Sequence, residues 1–151
     1  MSLDTPGLFT ALSSHAMTLG LFDRVNNHEP HNAPGNGLTC AFWWMRLAPA
    51  LSSGLSSTSG VVTFMARIFK PAPIPQDEND LEVLTATDAL IAAYSGDFTL
   101  GDRVRQADLL GQTGQPLSAQ AGWLTVDENT KYRTSDITIP LIVNDLFTQA
   151  P

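Results

Sequence analysis

The run at residues 38–49, "LTCAFWWMRLAP", limits the possible folds more than any other part of the chain. Laid out as a strand, it puts Leu38, Cys40, Phe42 and Trp44 on one face and Ala41, Trp43, Met45 and Leu47 on the other, because successive strand side chains point to opposite sides. Both faces are apolar. Such a strand either lies in the middle of a sheet or turns its outer face to a partner. Trp43 and Trp44 must point to opposite sides, so one of them is a candidate for exposure in an isolated subunit and for anchoring a subunit or partner interface. The alternative, that both belong to the core, stays open at this point.

The segments on either side supply the other elements. In "TPGLFTALSSHAMTLG" (5–20), Thr5 reads as an N-cap, Pro6 as the first helical residue and Gly20 as the stop. Leu8, Phe9, Leu12, Ala16 and Leu19 recur at three- and four-residue spacing and form the apolar stripe. His15 falls beside that stripe, where a satisfied helix histidine is expected. "LFDRVN" reads as a short strand, 26–37 as a loop, and 51–60, "LSSGLSSTSG", as a second flexible loop. "VVTFMARIFK" is a strand with Val62, Phe64, Ala66 and Ile68 on its apolar face, and the prolines of "PAPIP" start a crossover. "DENDLEVLTATDALIAAYSG" (77–96) is a second helix with an acidic first turn suited to the helix dipole. Its expected buried stripe is Val83, Leu84, Thr87, Leu90, Ile91 and Tyr94.

"FTLGDRVRQADLLG" reads as another strand, with Arg103 and Arg105 alternating onto one face. They are candidates for pairing with a neighbour's acidic residues, against the alternative of simple solvation. "AGWLTVDENTKYRTSDITIPLIV" reads as a terminal hairpin turning at "DENT", with Ile137, Ile139, Leu141 and Val143 on one face. Pro140 cannot donate a ladder hydrogen bond, so it implies an edge or a bulge. The order is α-β-β-β-α-β-β-β. Strands grouped in meanders indicate an α+β fold, a single mostly antiparallel sheet with two helices packed on it. At this length one domain covering 1–151 is expected.

Composition bears on partners. Eight Lys+Arg against fifteen Asp+Glu give a net charge of -7, which argues against a tight grip on nucleic acid, since that needs a basic face to displace counterions. An acidic surface does suit a protein that lets DNA pass, although ordinary solubilising charge explains it as well. Cys40 is the only cysteine, so no intrachain disulfide forms, and a reducing compartment is compatible. The N-terminus lacks the basic and apolar regions of a signal peptide, and the apolar runs are too short to span a bilayer.

The one stretch that resembles chemistry is "NHEPHNAPGNG" (27–37). A zinc-protease H-E-x-x-H needs histidines four apart on a helix. Here His28 and His31 are three apart, and Pro30, Pro34 and two glycines follow or interrupt. A loop chelate of His28, Glu29 and His31 remains the sharper alternative to a polar contact loop. The acidic run 77–80 lacks the ordered ligand spacing of a calcium loop. No nucleophile elbow and no phosphate-binding loop are present. No catalytic residue, cofactor or metal is assigned, and an enzymatic or metal-binding domain stands only as a lesser alternative.

Three stretches, "FDRVNNHEPHNAPGNGLTCAFWW", "DALIAAYSGDFTLGDRVRQADLLG" and "ITIPLIVNDLFTQAP", carry a resemblance that covers nearly the whole chain. It is similar to the tail terminator proteins of long-tailed (siphovirus-type) bacteriophages, particularly those infecting actinobacteria. The resemblance implies a structural virion protein, with no enzymatic activity and no cofactor. It implies a ring of copies, typically a hexamer, on the last ring of the tail tube, ending tube polymerisation and presenting the head-tail joining surface. The implied partners are further copies, the tail tube protein and a neck or head-completion protein. DNA is passing cargo, and no membrane is involved. The implied location is the head-proximal end of the tail, with the host cytoplasm during assembly. A neck or head-completion connector is the alternative. Trp43, Trp44, Arg103, Arg105, His28 and His31 are the candidate subunit or partner contacts, and the loops 26–37 and 51–60 are expected to touch tube or neck proteins.

Overall fold

The computed structural model describes residues 3–27, 37–50, 57–72, 77–127 and 130–148. Eight elements follow in the order α1 (Thr5–Leu19), β1 (Arg24–Asn26), β2 (Thr39–Pro49), β3 (Ser57–Pro71), α2 (Asp77–Gly96), β4 (Gln106–Ala107), β5 (Ser118–Asp127) and β6 (Thr130–Thr148). The expected α+β class and element order hold. The sheet is mixed: its order is β1-β2-β3-β6-β4, with β5 also on β6, and β1 runs parallel to β2 while the other pairs are antiparallel.

Both helices cover one face of the sheet. Leu8, Leu12 and Ala16 of α1 and Val83, Ala86, Leu90 and Tyr94 of α2 share a core. They meet the alternate residues Cys40 and Phe42 of β2, Phe64, Ala66 and Ile68 of β3, and Ile137, Ile139 and Leu141 of β6. The Phe9 ring meets Phe64 edge-on with centroids 5.0 Å apart. The Tyr94 hydroxyl donates to the Leu12 carbonyl at 2.8 Å and so ties the two helices together. A smaller cluster on the opposite face joins Ala41, Phe69 and Tyr132, with Trp43 and Leu124 beside it.

Several details differ from the sequence reading. Asp4, not Thr5, caps α1: its carboxylate accepts from the Gly7 N–H at 3.2 Å. The Cβ-branched Thr5 is already helical, and Pro6 follows it in the first turn. Gly20 ends the helix in the left-handed conformation (φ 68°), as expected. β3 starts at Ser57, so the last four residues of the expected 51–60 loop are strand. In α2 the bounds hold, but Leu84 is 64% exposed and Ala86 takes its place in the core. α2 packs on β3 and β6, and Leu84 falls at the groove between α2 and β5.

The expected strand through 98–111 shrinks to Gln106–Ala107. Leu100, Gly101 and Asp102 all have positive φ (51°, 66° and 65°), a left-handed run that an extended strand cannot accommodate. Asp97 anchors it by accepting from the Gly101 N–H at 3.0 Å.

Pro140 lies opposite Thr63 in the middle of the long β3–β6 ladder, not at the sheet's edge. Its carbonyl accepts from Asp108 N–H at 2.9 Å, on the side away from β3. The N and O of one strand residue point the same way, so the proline nitrogen faces Asp108, whose carbonyl already accepts from the Leu117 N–H at 2.9 Å. No ladder donor is needed there, which is the local equivalent of an edge.

Candidate assembly interface

Strand β2 changes character along its length. Thr39 to Phe42 are buried, Trp43 is half-buried, and Trp44 to Leu47 are exposed. Trp44, opposite Phe64, is on the helix-bearing face but beyond the reach of α1, and 58% of it is exposed. The register slips between Trp44 and Arg46, which makes Met45 an extra residue. The bulge inverts the alternation that the sequence suggests: Leu47 lies opposite Val62 on the helix-bearing face, and Arg46 opposite Thr63 on the other.

The two tryptophans therefore separate. Trp43 lies on the face without helices, under the guanidinium of Arg67, whose carbon is 5.4 Å from the ring centroid. Arg67 in turn donates from Nε to Asp136 Oδ1 at 2.6 Å and from an Nη to Oδ2 at 3.2 Å. Trp43 is thus part of the fold's own packing, and Trp44 is the exposed aromatic. A parallel arrangement exists on β5. Trp123, 46% exposed, lies beneath Arg133 at 5.0 Å, and Arg133 also donates to Asp80 Oδ1 at 2.7 Å and to the Gly122 carbonyl at 3.0 Å. Sequence reading missed Trp123 as a surface aromatic, because the short "WLTV" alternation does not show that α2 stops short of β5.

Arg103 and Arg105 are not on a strand. They lie in the turns before β4, separated by the buried Val104. An Arg103 Nη donates to Leu100 O at 3.4 Å, and the Arg105 N–H donates to Ile142 O at 2.8 Å. The Arg103 side chain thus closes its own turn and the Arg105 backbone ties the segment to β6, while both residues lie on the exposed surface. His28, His31 and Glu29, with most of the loop 26–37 and the first part of 51–60, lie outside the described residues, as does the tip of the expected "DENT" turn.

The remaining polar groups are committed to structure. Asp108, almost wholly buried, is desolvated, which would raise its pKa. The Thr113 hydroxyl and the N–H groups of Thr113, Gln112 and Gly111 outweigh that and hold the carboxylate below its usual range. His15 Nε2 is 2.9 Å from Asp97 Oδ2, the satisfied partner expected of it. The Gly101 N–H and His15 lower the Asp97 pKa. Burial pushes the Cys40 thiol far up, so it stays protonated and acts as a small hydrophobe. Among the described residues no group of three or more His, Cys, Asp or Glu is placed to hold a metal ion, and no helix is long and apolar enough to cross a membrane.

No family model and no curated protein matches the chain. Among solved structures it is similar to a chain of the "virion of native gene transfer agent (GTA) particle", with a TM-score of 0.33 and 13% identity, over 89% of this chain and 84% of that one. A likeness that weak identifies neither fold nor function.

Proposed function

We propose that this chain is a structural virion protein that closes as a ring on the end of a long-tailed phage's tail tube, stops tube polymerisation and presents the surface for head joining. The observation that carries the assembly part is β2, an apolar strand whose second half, Trp44, Met45 and Leu47, stands uncovered in the single subunit. Side chains of that kind in one contiguous patch mark a protein contact. The tail-terminator part rests on the three resembling stretches quoted above, together with the acidic balance of -7, which lets DNA slide past without being held.

The partners that follow are further copies of the chain, with a hexamer as the expected ring, the tube protein and a neck protein. Trp44 is the foremost contact. His28 and His31, in the loop 26–37, are contacts to tube or neck, and Arg103 and Arg105 lie beside them in rank as solvent-side charges of the joining surface. The test is tail assembly without this chain, followed by electron microscopy. Overlong tubes without heads are expected. Tails of normal length that merely fail to join heads would sink the terminator reading and leave a neck or head-completion protein.

A further inference from the structure

Besides the short end strands β1 and β4, two longer strand edges lack a strand partner among the described residues: β2 beyond Ala41, where β1 stops pairing, and the whole outer side of β5. Natural sheets protect such edges with lysine, proline or inward charges. From Ser118 to Thr125, β5 has none of these: its residues are Ser-Ala-Gln-Ala-Gly-Trp-Leu-Thr. We infer that these two edges pair with each other between neighbouring copies, β2 of one against β5 of the next, so that one sheet continues around the ring. This rests on the ring-forming reading above and names the surfaces that close it.

Strand direction agrees. β2 is antiparallel to β3, β3 to β6, and β6 to β5, so β2 and β5 run in opposite directions. Copies related by rotation about an axis inclined to the strands then meet as an ordinary antiparallel pair, with the register stepped from one copy to the next. Because the two edges are different surfaces on opposite sides of the sheet, the contact is head-to-tail, the kind that closes rings.

The hydrogen-bond phase agrees as well. The carbonyls of Pro140 and Ile142 accept from Asp108 and Arg105, so even-numbered residues of β6 turn their backbone groups toward β4 and β5. Their opposite numbers, Gln120, Gly122 and Leu124, turn inward to meet them, which leaves Ala119, Ala121 and Trp123 facing the free edge. On β2 the Leu38 carbonyl accepts from Asp23 on the outer side, so Cys40, Phe42 and Trp44 face outward. On both strands the residues with outward backbone groups carry their side chains on the helix-bearing face. Joining them keeps the helices of every copy on the same side, as rotational symmetry requires. Had one strand been out of phase, the helix layer would have flipped from copy to copy.

Size agrees too. Ala119 and Ala121 border an open groove of about 310 Å3 between α2 and β5, also lined by Val83, Leu84 and Thr87. Trp44 of the next copy, set opposite Ala121, places its indole in that groove against Leu84. In the same register Phe42 falls opposite Trp123. Small side chains on one edge thus face large ones on the other.

The test uses the full chain with two substitutions together, Trp44→Cys and Ala121→Cys, under mild oxidation. Residues opposite each other in a hydrogen-bonded antiparallel pair have Cα atoms ~5.5 Å apart, inside the ~4.4–6.8 Å range of disulfides. At protein concentrations raised to offset the lost Trp44 indole, a ladder of covalent multimers rising to the full ring is expected, with no ladder from either single variant. Ala121→Pro is the second variant. Its N–H faces the free edge and has no strand partner among the described residues, so the monomer keeps its thermal midpoint while the ring falls to monomer at the same concentration. Wild-type rings with no disulfide ladder and an unchanged Ala121→Pro ring overturn the edge pairing, leave the ring reading standing and assign these edges to a different chain. A wild-type chain that stays monomeric even when mixed with tail tubes overturns both.

Discussion

Arg67 and Asp136 face each other directly across the β3–β6 ladder, joined by two hydrogen bonds of 2.6 and 3.2 Å. The guanidinium also stacks between the Trp43 and Phe69 rings, 5.4 and 5.8 Å from their centroids. This pair organises the sheet face that no helix covers. Both side chains are partly exposed, which weakens the ion pair, but the two-point geometry and the aromatic stacking add to it. Asp136→Ala is expected to lower stability by about 1 kcal/mol. Chemical denaturation should show the midpoint falling with an unchanged slope, and 0.5 M salt should shrink the difference.

The contact between the helices makes a different kind of prediction. The Tyr94 hydroxyl is buried and bonded to the Leu12 carbonyl. Tyr94→Phe keeps the ring's packing and removes only that bond, so the expected loss is about 1 kcal/mol. A thermal midpoint equal to the wild type's would show that the bond adds nothing net to what water offers the unfolded chain.

Asp108 gives the protein an acid-sensitive loop. Its folded-state carboxyl lies below the usual carboxylate range, so the folded form favours the charged group. That stability is complete above the unfolded pKa, near 4 for an aspartate, and is lost as pH falls through the lowered folded value. Asp108→Asn removes the charge and one acceptor from a site that serves Gly111, Gln112 and Thr113, at a cost of about 1–3 kcal/mol at pH 7. Stability measured against pH should then converge for the two proteins below pH 4. A constant gap down to pH 2 would assign the loss to shape, not charge.

The sequence shows the helices and the long strands plainly because each buries one face, and burial imposes a period. The stripe Leu8-Leu12-Ala16 and the alternation Ile137-Ile139-Leu141-Val143 are such records, and both are core. What stayed hidden depends on neighbours that no local pattern encodes. The left-handed run at Leu100–Asp102 cancels a strand that "FTLGDRVRQ" suggests. The bulge at Met45 reverses the faces of Arg46 and Leu47. The position of α2 leaves Leu84 and Trp123 exposed, and the parallel β1 is too short to show its direction. For the candidate interface, the adjacent tryptophans were visible in the sequence. Which of them is free was not, since that depends on where α1 ends its cover and on Arg67 reaching Trp43 from another strand.

That difference separates the effects of two adjacent, identical side chains. Trp43→Ala removes a half-buried ring from beneath Arg67 and beside Phe69 and Tyr132, and should destabilise the subunit by about 2–4 kcal/mol, somewhat less than a fully buried tryptophan would. Trp44→Ala removes a ring that the subunit leaves mostly in water, so the subunit's stability should change by no more than about 0.5 kcal/mol. Its loss should fall on assembly, where a central tryptophan truncated to alanine costs at least about 2 kcal/mol per contact. In a ring each copy makes that contact once, so the penalty is repeated at every junction. Denaturation curves of the two variants, together with particle mass against concentration, separate the cases. A Trp44→Ala chain that folds as the wild type does, and forms rings at the same concentration, would show that this indole anchors nothing.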